Sequence, residues 1–200
     1  MADDASRIIS TGDIDLDHRL NELPARLKQH LIRARTKAIE LAEAHSLDGE
    51  KAGFAALCHD IVRLVDTGEL YKRAINYGLE IHPVEELHRV LLHGPVGAEL
   101  LREKFRIHDP DILEAIRWHS TFNRSLGATA KLTYLADKLD PDKASRFSDL
   151  EGKGRLAETD LDGAILSFLE EDIATMLSRG HLIHPAVVDA RNWLLEARIK

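Results

Sequence analysis

Residues 52–65 read AGFAALCHDIVRLV, the most apolar helical pattern in the chain. The pattern is apolar nearly all the way round, which is typical of a helix at the centre of a protein core. Asp48 is a good N-cap for this helix, so we predict that it runs from Gly49 to about Val65. The run nevertheless contains two adjacent ionisable residues, His59 and Asp60, whose burial requires an explanation.

The sequence on both sides of this run is also helical in its pattern. Apolar residues recur at helical spacing, and no stretch has the sustained period-2 alternation of a half-buried strand. We therefore expect an all-α fold in which about eight or nine helices form one bundle. Segments 68–78 and 141–155, the second reading PDKASRFSDLEGKGR, are predicted to be a looser stretch and a surface loop. The predicted helices cover residues 24–45, 49–65, 83–92, 94–105, 110–119, 128–139, 160–178 and 185–198.

Composition limits the classes of protein to which the chain can belong. Two hundred residues, 44% of them hydrophobic, are enough for one compact domain. The net charge of −7 argues against a nucleic-acid-binding protein, and no apolar run is long enough to span a membrane. The single cysteine, Cys58, cannot form an internal disulfide, and the opening MADDASR lacks the features of a secretory signal. We therefore expect a cytoplasmic protein.

The N-terminal segment differs from the rest of the chain. It is acidic and weakly patterned, whereas Pro24 opens a clear helical stripe. We expect residues 1–23 to be a flexible acidic extension without an assigned function, and residues 24–200 to be the single folded domain.

The His59-Asp60 pair would cost several kcal/mol if it were buried without partners. One interpretation is a hydrogen-bonded core histidine beside an aspartate in a buried ion pair, and the other is a metal site. The chain contains the same dipeptide at His108-Asp109, but there Pro110 follows and Asp109 is explained as a helix N-cap. Only the first pair therefore calls for a metal-binding interpretation.

Further residues of ligand type lie along other predicted helices. Asp137 repeats the anomaly of Asp60, because apolar neighbours direct its carboxylate towards the interior. Imidazoles and carboxylates together suit borderline metals such as iron, manganese and zinc. Six such groups exceed what one tetrahedral ion needs, whereas two ions sharing a bridging carboxylate would use them all. The six residues are His30, His59, Asp60, His93, His119 and Asp137.

The order H…HD…H…H…D resembles the motif that defines the HD-domain metal phosphohydrolases. Several segments are similar to those of one bacterial group within them, the YqeK family of symmetrical diadenosine tetraphosphatases. The resemblance extends from Pro24 to Leu195. The segments that carry it are ALCHDIVR (56–63), LLHGPVGAELL (91–101), EAIRWHST (114–121), LTYLADKLDP (132–141) and GHLIHPAVVDARNWLL (180–195).

This resemblance implies an all-α HD domain that holds two divalent metal ions, with iron favoured and manganese as the alternative. It places His30, His59, Asp60 and Asp137 around one ion and Asp60, His93 and His119 around the other. Asp60 would then be a catalytic residue that bridges the two ions. The implied reaction is hydrolysis of diadenosine tetraphosphate to two ADP.

The resemblance also suggests residues that contact the substrate. Arg63 matches a basic residue that the family has three positions after the HD aspartate, and its guanidinium could bind a phosphate in bidentate fashion. An ion pair with a surface acid is the alternative role. Thr121, Arg124 and Lys138 are further candidates for substrate binding, and Lys143 or Arg146 stands where the family tends to have an arginine.

Two other functions stay open from the sequence. One is an HD phosphohydrolase acting on another nucleotide, and the other is a metal-bearing nucleotide sensor without turnover. In each case the expected partner is a nucleotide, with no nucleic acid and no membrane. The oligomeric state stays open, with a homodimer as one alternative.

Overall fold

The computed structural model describes residues 9–199 as an all-α fold, as the sequence pattern predicts. No strand occurs among these residues, and two short 3₁₀ turns, Arg89–Leu92 and Pro141–Lys143, connect helices. The α-helices are α1 (Ile14–Asn21), α2 (Ala25–Ala44), α3 (Gly49–Cys58), α4 (Thr67–Asn76), α5 (Pro83–Leu87), α6 (His93–Lys104), α7 (Pro110–Trp118), α8 (Ala128–Lys138), α9 (Leu150–Ala157), α10 (Leu161–Ser178) and α11 (Pro185–Ile199).

Helix α3 lies at the centre, where it packs against α2, α7 and α8. Its small buried residues allow the neighbouring helices to come close. A Cβ atom at Gly53 would lie 2.8 Å from the Ile39 side chain, so the glycine lets α2 approach α3 without a shift of Ile39. Helix α6 packs against α7, and α10 joins α8, α9 and α11 on the other side of the bundle.

Helix α2 follows the predicted amphipathic pattern. Its buried stripe contains Leu31, Ala34 and Ala38, at the 3.6-residue spacing that places side chains on one helix face. His30 lies in the same buried stripe, which directs an imidazole into the bundle. Cys58 is buried and free, as expected for a small apolar residue.

The helix predicted from Gly49 to Val65 is shorter in the structure. Helix α3 ends at Cys58, and the chain continues through turns closed by hydrogen bonds from Arg63 N to Asp60 O (2.9 Å) and from Val65 N to Val62 O (3.0 Å). The apolar pattern did not reveal this end, because Ile61 and Val62 are fully buried although they are not helical. The His59-Asp60 pair therefore lies in a turn at the helix end.

The flexible extension predicted for residues 1–23 is wrong for its second half. Helix α1 begins after Asp13, whose side chain accepts hydrogen bonds from the amides of Asp15 and Leu16. Leu16 and Leu20, one turn apart, are fully buried. Two buried apolar residues in an eight-residue helix are too few to give a clear period. Residues 1–8 lie outside the described part of the chain.

The surface loop predicted for residues 141–155 is also partly wrong, because it contains a 3₁₀ turn and most of α9. Helix α9 begins at an Asp149 cap that accepts a hydrogen bond from the Gly152 amide, and it buries Ala157. Similarly, α4 occupies most of the looser stretch and begins at an Asp66 cap. None of the helices between residues 9 and 199 has the length and apolar character needed to cross a bilayer.

Candidate metal centre

The fold brings all six predicted metal ligands to one buried place. His30 comes from the middle of α2, while His59 and Asp60 come from the turn after α3. His93 is the first residue of α6, His119 directly follows α7, and Asp137 belongs to the last turn of α8. Two groups have ligand atoms within 4.8 Å of one another, namely His30, His59 and Asp137, and His59, Asp60 and His119.

Three of the histidines are oriented by the same local device. The Nδ1 atom of His59 donates to the Ala56 carbonyl at 2.6 Å, and that of His119 donates to the Ile116 carbonyl at 2.8 Å. His93 makes the same bond to the Val90 carbonyl at the end of a 3₁₀ turn. The last carbonyls of a helix lack partners within it, so a histidine at this position can satisfy one of them. The bond places the proton on Nδ1 and leaves the Nε2 lone pair for a metal.

These Nε2 atoms face one another at short distances. The His93 and His119 Nε2 atoms are 2.9 Å apart, and those of His30 and His59 are 3.2 Å apart. For His93 and His119, whose Nδ1 atoms both donate elsewhere, two lone pairs point at the same space. A cation shared by the two nitrogens would relieve this repulsion, since neutral imidazole nitrogens are common metal ligands.

The carboxylates join the histidines into two halves. Asp60 Oδ1 lies 3.0 Å from His93 Nε2 and 3.4 Å from His119 Nε2, whereas its Oδ2 lies 3.6 Å from His59 Nε2. Asp137 Oδ1 is 3.2 Å from His30 Nε2. Asp60 Oδ1 is buried and has no hydrogen-bond partner. A carboxylate oxygen without a hydrogen-bond donor, beside two nitrogen lone pairs, provides three ligand atoms of the kind that a divalent cation binds.

The electrostatics of the cluster act differently on its individual ligands. Burial lowers the pKa of His119 to about 4, so this imidazole is neutral near pH 7. Burial alone would raise the pKa of Asp60, but the neighbouring His59 holds it well below its ordinary value. For His30 burial would lower the pKa, but Asp137 and Asp140 raise it to about 9. A cation at His30 Nε2 would therefore have to displace a proton.

Asp140 supports the site although the sequence pattern indicates only a helix stop there. Its Oδ2 accepts a hydrogen bond from His30 Nδ1 at 2.9 Å. Arg33 binds the same carboxylate in bidentate fashion, with both distances at 3.0 Å. Such a carboxylate behind a histidine fixes the ring and increases its basicity as a ligand. The available signal was a second aspartate three residues after Asp137, at the end of the same helix.

We expect Asp140→Asn to weaken divalent-cation binding by roughly ten- to a hundredfold, because the charge that orients His30 and pairs with Arg33 is lost. Titration calorimetry with Mn²⁺ measures this effect. The exposed neighbour Asp142 provides the control, since Asp142→Asn removes a carboxylate of the same turn that does not touch His30. Equal Mn²⁺ affinity in both variants would remove Asp140 from the site.

The cluster lies at the wall of an open cavity of about 280 Å³. Arg63, half-exposed, lines it and holds its Nε 4.0 Å from Asp60 Oδ2. The buried Lys138 places Nζ 3.5 Å from Asp137 Oδ2, and Lys143 places Nζ 2.9 Å from Asp137 Oδ1. Both ammonium groups therefore form ion pairs with Asp137, which is one of the candidate metal ligands. Further polar lining residues include Ser120, Thr121, Arg146, Asp172, His181 and His184.

One predicted substrate residue lies elsewhere. Arg124 is exposed and does not line the cavity, so the structure does not bring it together with the other candidate substrate residues. Its place in the sequence after His119 suggested proximity, but Phe122 turns the chain with φ 61° and packs into the core, which carries the next residues outward. Asp109 caps α7 as predicted, and its neighbour His108 is exposed and outside the cluster.

Comparison with known proteins gives a consistent family. A family model described as HD domain matches residues 27–142, more than half of the chain. A protein from Halalkalibacterium halodurans named symmetrical bis(5'-nucleosyl)-tetraphosphatase is 35% identical over segments covering 84% of this chain and 88% of the relative. A protein of the same name from Bacillus subtilis is 30% identical, covering 83% and 88%.

A solved structure shares the whole architecture. It comes from Clostridium acetobutylicum and is described as a predicted HD superfamily hydrolase involved in NAD metabolism. The two structures superpose with a TM-score of 0.87 at 27% identity, covering 94% of this chain and 99% of the other. Together with the family match over residues 27–142, this similarity establishes that the chain belongs to the HD-domain family.

Proposed function

We propose that this protein is a metal-dependent symmetrical bis(5'-nucleosyl)-tetraphosphatase, which hydrolyses diadenosine tetraphosphate to two ADP. The observation that carries the proposal is the convergence of four histidines and two carboxylates, with Asp60 between His93 and His59, at the wall of a cavity with basic side chains. The names of the relatives from Halalkalibacterium halodurans and Bacillus subtilis support the same substrate. We place the activity in the cytoplasm, since Cys58 is free and buried.

The imidazole–carboxylate donor set suits borderline divalent metals. We propose that two such cations complete the site and, from the resemblance to the YqeK family, that they are iron, with manganese as the alternative. His30, His59, Asp60 and Asp137 would hold one cation, and Asp60, His93 and His119 the other. When bound, the cations lower the pKa of a shared water and neutralise charge on the phosphoryl oxygens. Asp60 suits the bridging role because its two oxygens face different histidines, at 3.0 Å from His93 and 3.6 Å from His59.

The basic side chains of the cavity wall bind and orient the polyphosphate. The net charge of the whole chain is −7, but the cavity wall has four basic side chains, Arg63, Lys138, Lys143 and Arg146, against three carboxylates, Asp60, Asp137 and Asp172. Arg146 donates to Asp172 Oδ1 at 2.8 Å, which anchors its guanidinium at the cavity wall. Lys143 pairs with Asp137, so one of the basic side chains of the cavity contacts a candidate metal ligand directly. Thr121 adds a buried hydroxyl to the same lining.

Analysis of the products tests the proposal directly. Protein loaded with Fe²⁺ or Mn²⁺ is expected to convert diadenosine tetraphosphate into ADP alone, because water attacks an inner phosphorus and the central P–O–P bond breaks with ADP as the leaving group, which leaves two phosphates on each nucleoside. AMP and ATP in equal amounts would contradict symmetrical cleavage. Turnover of other nucleotides alone would indicate a different HD phosphohydrolase, and tight binding without products would indicate a sensor.

Arg63→Ala is expected to lower kcat/KM by roughly ten- to a hundredfold, or about 1.4 to 2.7 kcal/mol. Arg63 is the basic side chain beside Asp60, and its half-exposed guanidinium can reach a phosphate next to the cations. Arg63→Lys should restore only part of the loss, because an ammonium group lacks the planar fork. Steady-state kinetics measure both effects. Wild-type kinetics in Arg63→Ala would contradict the phosphate contact. The ion pair with Asp60 would then be the only role of the Arg63 guanidinium.

A further inference from the structure

Ser120 lies against the centre of the site without a role assigned so far. It directly follows His119, and its side chain lines the cavity. Its Oγ lies 3.1 Å from His119 Nε2 and 3.3 Å from His93 Nε2. A hydroxyl group is thus in contact with both histidines of one half of the site.

Hydrogen-bond accounting identifies Ser120 as the donor in these contacts. His93 and His119 donate through Nδ1 to backbone carbonyls, so both Nε2 atoms are acceptors. Asp60 Oδ1, which is close to the same two nitrogens, is a third acceptor and has no hydrogen-bond partner. A serine has a single hydroxyl hydrogen and can serve only one of these acceptors at a time.

Cation binding would change the partner of this hydroxyl. A cation held by His93, His119 and Asp60 takes up the lone pairs that Ser120 contacts. The Ser120 hydroxyl hydrogen would then need another acceptor, and the Ser120 side chain already lines the cavity. The acceptors that a nucleotide polyphosphate brings to this place are phosphoryl oxygens, and hydrogen bonds to such charged groups are strong.

We propose that Ser120 donates a hydrogen bond to a phosphoryl oxygen of the bound nucleotide, beside His93 and His119. The inference rests on the proposed function. Ser120 would contact the substrate through an uncharged hydroxyl group, whereas Arg63 and Lys143 act through charge. A neutral donor adds direction to the phosphate contact without further repulsion of the cations.

Binding measurements on the full chain test this role independently of turnover. With the protein saturated in Mn²⁺, Ser120→Ala is expected to raise the Kd for ADP by about tenfold or more. The Kd for inorganic phosphate should rise by a similar factor, whereas the Kd for Mn²⁺ should stay within about twofold of wild type. Ser120→Thr, which retains a hydroxyl, should restore most of the ADP affinity. The control is Ser178→Ala, since Ser178 is exposed and its hydroxyl bonds to the Thr175 carbonyl of its own helix.

The outcomes separate this inference from the function on which it rests. Wild-type protein that neither binds ADP nor cleaves diadenosine tetraphosphate would overturn both. An ADP affinity unchanged by Ser120→Ala, in protein that is otherwise active, would overturn the Ser120 contact alone. A parallel loss of Mn²⁺ affinity would also overturn it, because Ser120 would then support the metal site instead of the phosphate.

Discussion

Asp60→Asn is expected to abolish hydrolysis, with kcat/KM falling by roughly a thousandfold or more, equivalent to about 4 kcal/mol. Asp60 is the residue that connects the two halves of the site, through Oδ1 to His93 and through Oδ2 to His59. An amide nitrogen cannot accept a cation as a carboxylate oxygen does, so the bridge loses one end. Steady-state kinetics and metal analysis of the purified variant measure the loss.

The fold of this variant should remain largely helical. Asparagine has nearly the shape of aspartate, and Asp60 Oδ1 has no hydrogen-bond partner that the substitution could remove. Circular dichroism should therefore match wild type, apart from loosening caused by weaker metal binding. Replacement of His30 should cost less activity than replacement of Asp60, because His30 serves only one half of the site.

The other His-Asp pair provides the matched control. His108→Asn changes an exposed residue beside the Asp109 cap of α7 and should retain activity. Equal losses in Asp60→Asn and His108→Asn would contradict the assignment of the bridge to Asp60. The measurement therefore compares one substitution in each of the two His-Asp pairs, which lie at different tertiary positions.

Gly94→Ala is expected to disrupt the same site through the backbone. A Cβ atom at Gly94 would lie 2.6 Å from the Arg117 carbonyl oxygen and 3.0 Å from that of Ile116. These atoms belong to backbone, so α6 and α7 would have to separate. We expect the free energy of unfolding to fall by about 2 to 3 kcal/mol, as for overpacked cores.

Gly94→Ala protein that remains folded should also lose activity. Gly94 follows His93, and the Ile116 carbonyl that it approaches accepts the hydrogen bond from His119 Nδ1. Separation of these helices would lengthen the 2.9 Å distance between the two Nε2 atoms. A displacement of about 1 Å can cost on the order of a hundredfold in rate, so we expect a loss of that size in kcat. Denaturant unfolding and kinetics on folded protein separate the two effects.

Gly97→Ala, three residues along the same helix, is the control. Its added Cβ would meet the side chains of Ile61 and Val62 at 3.6 Å, an ordinary van der Waals distance. We expect this variant to keep wild-type activity and stability within a few tenths of a kcal/mol, because helical alanine is favoured over glycine. Similar damage in both variants would show that α6 tolerates no added volume and that the approach of Gly94 to α7 is not special.

Local sequence patterns predicted the helices that bury a long apolar face or carry a clear cap. The α2 stripe, the Asp109 cap of α7 and the all-α class are of this kind. The short helices α1 and α9 escaped prediction because their stability comes from tertiary packing of one or two apolar residues. The C-terminal end of α3 could not be predicted either, since the apolar pattern continues into turns that are as buried as the helix.

The sequence by itself determined the kinds of ligand and their order along the chain, because a carboxylate or imidazole within an apolar helix needs a partner wherever that helix packs. Only the tertiary structure decided which atoms meet. His30 and Asp140 are 110 residues apart and hydrogen-bond only because α2 and the end of α8 pack together. Ser120 and the Gly94 contact have no signal in the local pattern, since their roles arise from distances between separate helices. Periodicity describes which face of a helix is buried, whereas chemistry at a site depends on what the neighbouring helix places against that face.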